Sequence, residues 1–194
     1  MKKDNRGFSL VELIISIAII VIVLGMLGAS LNYIGNSQAR SLANAIKTAV
    51  GQARIQTMGK YDTYLYIYKS SGDNRYYKET WKRSRSNVGG SDELIRENRE
   101  LLGKERPMVK YYVEGDASEH EIDGTNGLLI KFDRTNGKEI EEDMGSGHTD
   151  EDGNNITTGI GTGTKSVLCN QIVIYYGTKE YNVRIVPATG KVSL

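Results

Sequence analysis

The chain has 194 residues, a formal net charge of +1 at pH 7 and one cysteine, Cys169. The near-zero charge excludes a protein that attracts nucleic acid or a membrane surface through bulk electrostatics. A single cysteine excludes an intrachain disulfide, and its place in the apolar run Val167-Leu168-Cys169 predicts a buried structural thiol.

The N-terminal segment combines a short basic leader with a long apolar run that contains one acid. Lys2, Lys3 and Arg6 precede Gly7-Phe8-Ser9-Leu10-Val11-Glu12-Leu13. From Phe8 to Leu31 there are about 24 residues, which as a helix would extend roughly 36 Å, enough to cross a bilayer. Inside such a segment an unpaired charge costs on the order of 3 kcal/mol, so Glu12 needs a partner.

The order of these parts differs from that of a secretory signal, in which a small-residue cleavage site follows the apolar stretch. Here the glycine precedes that stretch, and no cysteine follows it as a lipoprotein signal would require. The arrangement resembles the leader of type IV pilins and pseudopilins. The resemblance implies that a prepilin peptidase cleaves after Gly7 and N-methylates Phe8, and that Glu12 is the acid of the family motif. A plain single-pass anchor with an incidental glutamate is the alternative.

Glu12 is predicted to act during assembly. After cleavage, Phe8 would carry a cationic amino group one helical turn from this acid. In a filament, the amino terminus of a neighbouring subunit could pair with Glu12 in apolar surroundings. Because an unpaired acid is costly there, pairing would favour one axial register. The partners that the resemblance implies are the prepilin peptidase, other pilins or pseudopilins, and an inner-membrane assembly platform.

Beyond the apolar run, apolar residues continue at helical spacing. They predict a single rod from about Phe8 to Met58 that ends at Gly59. The rod is apolar all round at first, and then on one face that includes Leu42 and Ile46. A one-faced helix is typical of an element that packs on a domain.

The rest of the chain predicts strands and one short helix. Alternation over Tyr61–Lys69 places three tyrosines on one face, with Leu65 and Ile67 on the other. Residues 92–102 predict a helix, because Ser91 can cap it and acids occupy its first turn. The other β-rich runs are Arg75–Trp81, Met108–Val113, Leu128–Arg134, Ser166–Tyr176, Lys179–Pro187 and Lys191–Leu194. The predicted fold class is α+β, a long N-terminal helix packed against a C-terminal antiparallel sheet.

The pilin resemblance implies the same architecture. It divides the chain into a leader peptide (1–7), a transmembrane and assembly helix (8–31) and an extracytoplasmic domain (32–194). The basic leader keeps the N terminus in the cytoplasm. The closing hairpin, with Ala188-Thr189-Gly190-Lys191-Val192, looks like that of the minor pseudopilins of the GspH and FimT kind.

The function that the resemblance implies is a structural one. The chain would be a filament subunit that leaves the cell membrane for the cell surface, without catalytic residues, cofactor or bound metal. Pilus, type II secretion and competence systems stay open as alternatives.

A basic segment carries a second functional hypothesis. Lys69–Arg85 holds six basic residues with three aromatic side chains interleaved. Positive charge combined with stacking aromatics is typical of contacts to DNA, and FimT-like minor pilins include DNA-uptake receptors. The alternative function is therefore DNA binding through Lys82, Arg83 and Arg85. The competing interpretation is an ordinary solvated hairpin, since strand aromatics usually lie in a core and two acidic segments elsewhere would repel DNA.

Few other residues suggest chemistry. The two histidines, His120 and His148, lie in acidic, glycine-rich stretches and are predicted to be surface-loop residues. No nucleophile elbow is present in the sequence. In the glycine- and threonine-rich segment Gly147–Thr164, the oxygen side chains of Asp150–Asn155 could ligate Ca²⁺. The later bidentate glutamate of an EF-hand is missing there, so a solvated loop is the prediction.

Overall fold

A computed structural model describes residues 9–59, 62–84, 93–158 and 164–194, with only the backbone described for 27–32. In these residues one helix, α1 (Leu10–Gly59), precedes nine strands. The strands are β1 (Thr63–Lys69), β2 (Tyr76–Ser84), β3 (Glu93–Gly103), β4 (Met108–Val113), β5 (His120–Glu121), β6 (Leu128–Lys131), β7 (Cys169–Tyr176), β8 (Lys179–Val186) and β9 (Lys191–Ser193). The α+β class and the end of the helix at Gly59 are confirmed.

The strands form two antiparallel sheets, whereas the sequence predicts a single one. The four-stranded sheet has the order β3-β2-β1-β6, and the five-stranded sheet has the order β5-β4-β7-β8-β9. The predicted hairpins β1–β2 and β7–β8 are both present. The two sheets arise because β6 returns to pair with β1, while β4 pairs with the distant strand β7.

The C-terminal half of α1 is buried under both sheets. Its buried face repeats at helical spacing, through Ala39, Leu42, Ala43, Ile46, Ala49, Val50 and Ala53. The first sheet packs Leu65 and Ile130 into this core, and the second adds Ile172 and Val183. Cys169 is fully buried in the same core, which confirms the prediction for the thiol.

The opposite face of β1 carries a second, aromatic cluster. Tyr64, Tyr66 and Tyr68 lie there with Trp81, on the face that alternation predicts. The segment 139–158 covers them, contributing Met144 and Ile156. The prediction of a solvated loop is wrong for the described part of Gly147–Thr164, in which Asp150, Ile156 and Thr158 are buried. The reason is that exposed tyrosine rings on a sheet offer apolar area that this segment can cover.

Hydrogen bonds hold this covering segment in place. The Tyr66 hydroxyl donates to the carbonyl of Thr157 over 3.3 Å, and the Tyr64 hydroxyl donates to Glu142 Oε1 over 2.9 Å. The backbone N–H of Glu151 donates to Glu79 Oε1 over 2.8 Å. The covering segment thus satisfies the hydroxyls of Tyr64 and Tyr66 and one carboxylate oxygen of Glu79.

The predicted helix over 92–102 is wrong for the described residues 93–102, because these residues lie in β3. The strand pairs with β2 along its length, with a register shift between Thr80 and Trp81. The Arg99 guanidinium lies 3.8 Å from the centroid of the Tyr77 ring, and that of Arg96 lies 5.9 Å from the Trp81 ring. Leu, Glu and Arg all favour helices. In this segment the ladder hydrogen bonds to β2 and the stacking on aromatic rings outweigh that preference.

Two glycines bring the C-terminal end of α1 against two turns. Arg54 Nε donates to the carbonyl oxygen of Gly137 over 3.2 Å. Gly190 has φ of +63°, and a Cβ added to it would lie 2.0 Å from that same oxygen. The contact therefore requires glycine at position 190, for its backbone conformation and for its lack of a side chain.

Candidate functional site

The N-terminal part of α1 carries an uncovered apolar surface. Every described side chain from Ser9 to Met26 is exposed. The large apolar side chains among them are 50 to 73% exposed, the extremes being Val23 and Leu10. Contiguous exposed apolar area on this scale marks an interaction surface. The same helix thus has one half that packs on its own domain and one half that has no cover from it.

A capping box begins this helix, and the sequence reasoning above missed it. The backbone N–H of Val11 donates to Ser9 Oγ over 3.3 Å, and that of Ser9 donates to Glu12 Oε2 over 3.4 Å. Ser9-x-x-Glu12 is the sequence signature of this arrangement, so the pattern was readable without a structure. Glu12 therefore has a local partner for its carboxylate within its own helix.

Within the described residues, α1 contains no stretch that is both long and apolar enough to cross a membrane. Gly7 and Phe8 lie outside the described residues, so the cleavage and methylation sites stay predictions.

Of the three candidate DNA-contact residues, the two that the structure describes, Lys82 and Arg83, lie beside acids. Lys82 forms an ion pair with Glu97, while Arg83 lies 3.0 Å from Glu142 Oε1 and 3.6 Å from Asp62 Oδ2. Arg85 lies outside the described residues. The neighbouring carboxylates reduce the positive charge that a phosphate would meet at Lys82 and Arg83.

The surface-loop prediction is wrong for His120, which lies in a strand, whereas His148 lies outside the strands and is half-buried. His120 lies in β5, where its Nε2 is 3.0 Å from Asp116 Oδ2 and its ring packs on Tyr111. The His148 ring meets the edge of Trp81 at a centroid distance of 5.4 Å. Across the described ranges, no group of three His, Cys, Asp or Glu residues is placed to hold a metal ion. Both histidines pack against aromatic rings of the domain.

One acid is buried with little compensation. Glu139 is 5% exposed, and neither of its carboxylate oxygens makes a hydrogen bond of good geometry with the described residues, although the backbone of Cys169 lies close by. Burial raises its pKa to about 8, and the nearby charge of Glu114 acts in the same direction, while the backbone of Cys169 offsets part of the effect. Burial also raises the pKa of the Cys169 thiol, and Glu139 adds to that rise. Burial thus favours the protonated form of both groups in the folded protein.

The N-terminal segment matches a known family model. Residues 2–28 match the model described as the prokaryotic N-terminal methylation motif. This match supports a prepilin-like N terminus of the type IV pilin kind. It covers the leader and the exposed part of α1 and does not extend to the domain. No curated protein and no solved structure matches the chain significantly.

Proposed function

We propose that the chain is a structural filament subunit of the type IV pilin kind, a minor pilin or pseudopilin that assembles through the N-terminal part of α1. One observation carries this proposal: a continuous helix is buried by its own domain in one half and exposes apolar side chains in the other. Such a half-covered helix suits a subunit whose exposed half packs against copies of itself. The matched methylation motif, residues 2–28, includes the exposed residues 9–26.

In this proposal the segment 8–31 first anchors the chain in the cell membrane and later lies in the filament. The leader 1–7 stays cytoplasmic until the prepilin peptidase removes it, and the domain 32–194 is extracytoplasmic. The inner-membrane assembly platform and other pilins are the further partners. A place among the minor pseudopilins of the GspH and FimT kind is the finer form of the proposal.

Glu12 has two roles in this proposal. Its side chain closes the capping box at the start of α1, which satisfies a backbone N–H of the first turn. Its charge is left to pair with the amino terminus of a neighbouring subunit during assembly. The two roles separate experimentally, because glutamine can also close a capping box but carries no charge.

DNA uptake is the alternative function, and the contacts described above do not favour it. Two of its three candidate cations already lie beside carboxylates. We therefore retain it as a prediction to be tested and not as the main proposal.

Processing at Gly7 tests the proposal. The mature chain, expressed with a prepilin peptidase, should begin at N-methylated Phe8 by mass spectrometry. Gly7→Val should leave the leader attached, because the peptidase recognises glycine at the cut. Gly25→Val provides a matched control, since it places the same change within the apolar helix and should be processed normally. Mature surface protein that still carries residues 1–7 would overturn the proposal.

A further inference from the structure

A cleft opens at the end of the domain that lies nearest the exposed part of α1. It has a volume of about 320 Å³ and forms where α1 meets the turn between β1 and β2 and the turn between β3 and β4. Its lining residues are Ile34, Gln38, Asp73, Arg75, Lys104, Glu105 and Arg106. Three of these are cations and two are acids, so the cleft is net positive.

The acid on the β1–β2 turn is already engaged. Asp73 accepts hydrogen bonds from the Tyr77 hydroxyl over 2.6 Å and from the backbone N–H of Arg75 over 3.0 Å. The hydrogen bond from Tyr77 lowers the pKa of Asp73, which stays ionised. Its oxygens therefore organise the turn that presents the Arg75 side chain.

The opposite wall of the cleft is formed by the turn between β3 and β4, and its charged side chains are exposed. Lys104 and Arg106 are exposed, and neither forms an ion pair with any residue that the structure describes. Glu105 between them is also exposed. Arg75 lies 3.8 Å from Asp73, but each side chain is about half exposed, and a surface pair of this kind contributes little. The cations of both walls are thus available to an anionic group.

The distance of the cleft from the end of the apolar run, measured along α1, indicates its ligand. The predicted apolar run ends at Leu31, and at about 1.5 Å per residue Ile34 and Gln38 follow roughly 5 and 10 Å further along the axis. The headgroup layer of a bilayer is roughly 5 to 8 Å thick on each side. Tyr33, next to the cleft, is 77% exposed, as suits an aromatic residue at a membrane interface.

We propose that this cleft binds the phosphate groups of anionic phospholipids at the membrane face on which the domain sits. The inference rests on the proposed function, because membrane anchorage through 8–31 brings the cleft to headgroup height. Arg75 approaches the phosphate from one wall, and Lys104 and Arg106 approach it from the other. Binding fixes the orientation of the domain on the membrane before the subunit enters a filament.

The test uses the full mature chain in lipid nanodiscs, made of phosphatidylcholine alone or with one-third phosphatidylglycerol. Amide hydrogen exchange at residues 103–108 is measured in both. We expect exchange there to slow by about threefold or more in the anionic discs, because each cation near an anionic surface adds attraction. Equal exchange in the two kinds of disc would overturn the inference.

Two triple variants complete the test. Arg75→Gln with Lys104→Gln and Arg106→Gln should abolish the difference between the discs. The matched control removes three lysines far from the cleft and should retain that difference. Its substitutions are Lys47→Gln, Lys138→Gln and Lys191→Gln.

Two further measurements distinguish a failure of membrane anchorage from a failure of the cleft inference, and lipid from free phosphate as the ligand. Slow exchange of residues 10–26 in both discs reports membrane anchorage by itself. Anchorage without a lipid-dependent effect at 103–108 overturns the cleft inference alone, and loss of anchorage overturns both proposals. Inorganic phosphate, added to neutral discs, should not slow exchange at 103–108, and equal protection by it would refute the assignment to lipid.

Discussion

Replacing Glu139 with glutamine should change how the stability of the domain depends on pH. Burial raises the pKa of Glu139 from its ordinary value of 4.5 to about 8, an effect that the backbone of Cys169 only partly offsets. Between these two pH values the unfolded chain loses this proton while the folded chain keeps it. The free energy of unfolding therefore falls by about 1.4 kcal/mol per pH unit, roughly 5 kcal/mol over the whole window. The stabilisation is fully present below pH 4.5 and lost as the pH rises to about 8.

Glu139→Gln lacks this titration, so its stability relative to the parent chain should improve steadily from about pH 5 to pH 8 by several kcal/mol. The buried amide adds a cost that does not change with pH and therefore leaves the slope intact. Other acids, including the buried Glu79, titrate alike in both proteins and cancel in the comparison.

Urea unfolding at several pH values, followed by the fluorescence of Trp81, measures this difference. Trp81 is the one tryptophan of the chain and is 6% exposed, so its emission reports the folded state. Glu141→Gln is the matched control, since that neighbouring side chain is 44% exposed and pairs with Lys165. A stability difference between Glu139→Gln and the parent that stays constant with pH would refute the reasoning.

Three further changes test other parts of the structure. Glu12→Gln should keep the capping box and membrane insertion but reduce incorporation into filaments, as scored by shearing and immunoblotting; normal incorporation would exclude the register role. Gly190→Ala should cost about 3 kcal/mol in urea unfolding, through its backbone conformation and its clash, whereas Gly51→Ala, with open space around it, should gain about 1 kcal/mol. Lys82→Gln with Arg83→Gln should leave retention on DNA unchanged at about 50 mM salt, and a clear loss would revive the uptake hypothesis.

Local features of this protein were readable from the sequence. The length of α1 follows from periodicity, and its end follows from Gly59. The faces of β1 follow from strict alternation, and the β7–β8 hairpin follows from two β-rich runs with Gly177 between them. The capping box at Ser9 and Glu12 was equally readable, although it was overlooked. All of these depend on residues within a few positions of one another, so their physics is contained in short stretches of chain.

Other features depend on residues far apart in the chain. β3 is a strand because β2 supplies ladder hydrogen bonds and aromatic rings for Arg96 and Arg99. The segment 139–158 packs on the first sheet because it removes the tyrosine rings of β1 from water. No local pattern could distinguish these outcomes from a helix or a solvated loop, since the competing energies come from other elements.

The candidate sites also divide into those set by neighbouring residues and those set by residues far apart in the chain. The sequence alone indicated the N-terminal methylation motif and the capping box at Glu12, because each is defined by residues close together in the chain. Only the tertiary structure decided that Lys82 and Arg83 lie beside carboxylates, that Glu139 is buried, and that three cations from two turns meet around Gln38. Charge and burial depend on what surrounds a side chain, and those surroundings exist only once the chain has folded.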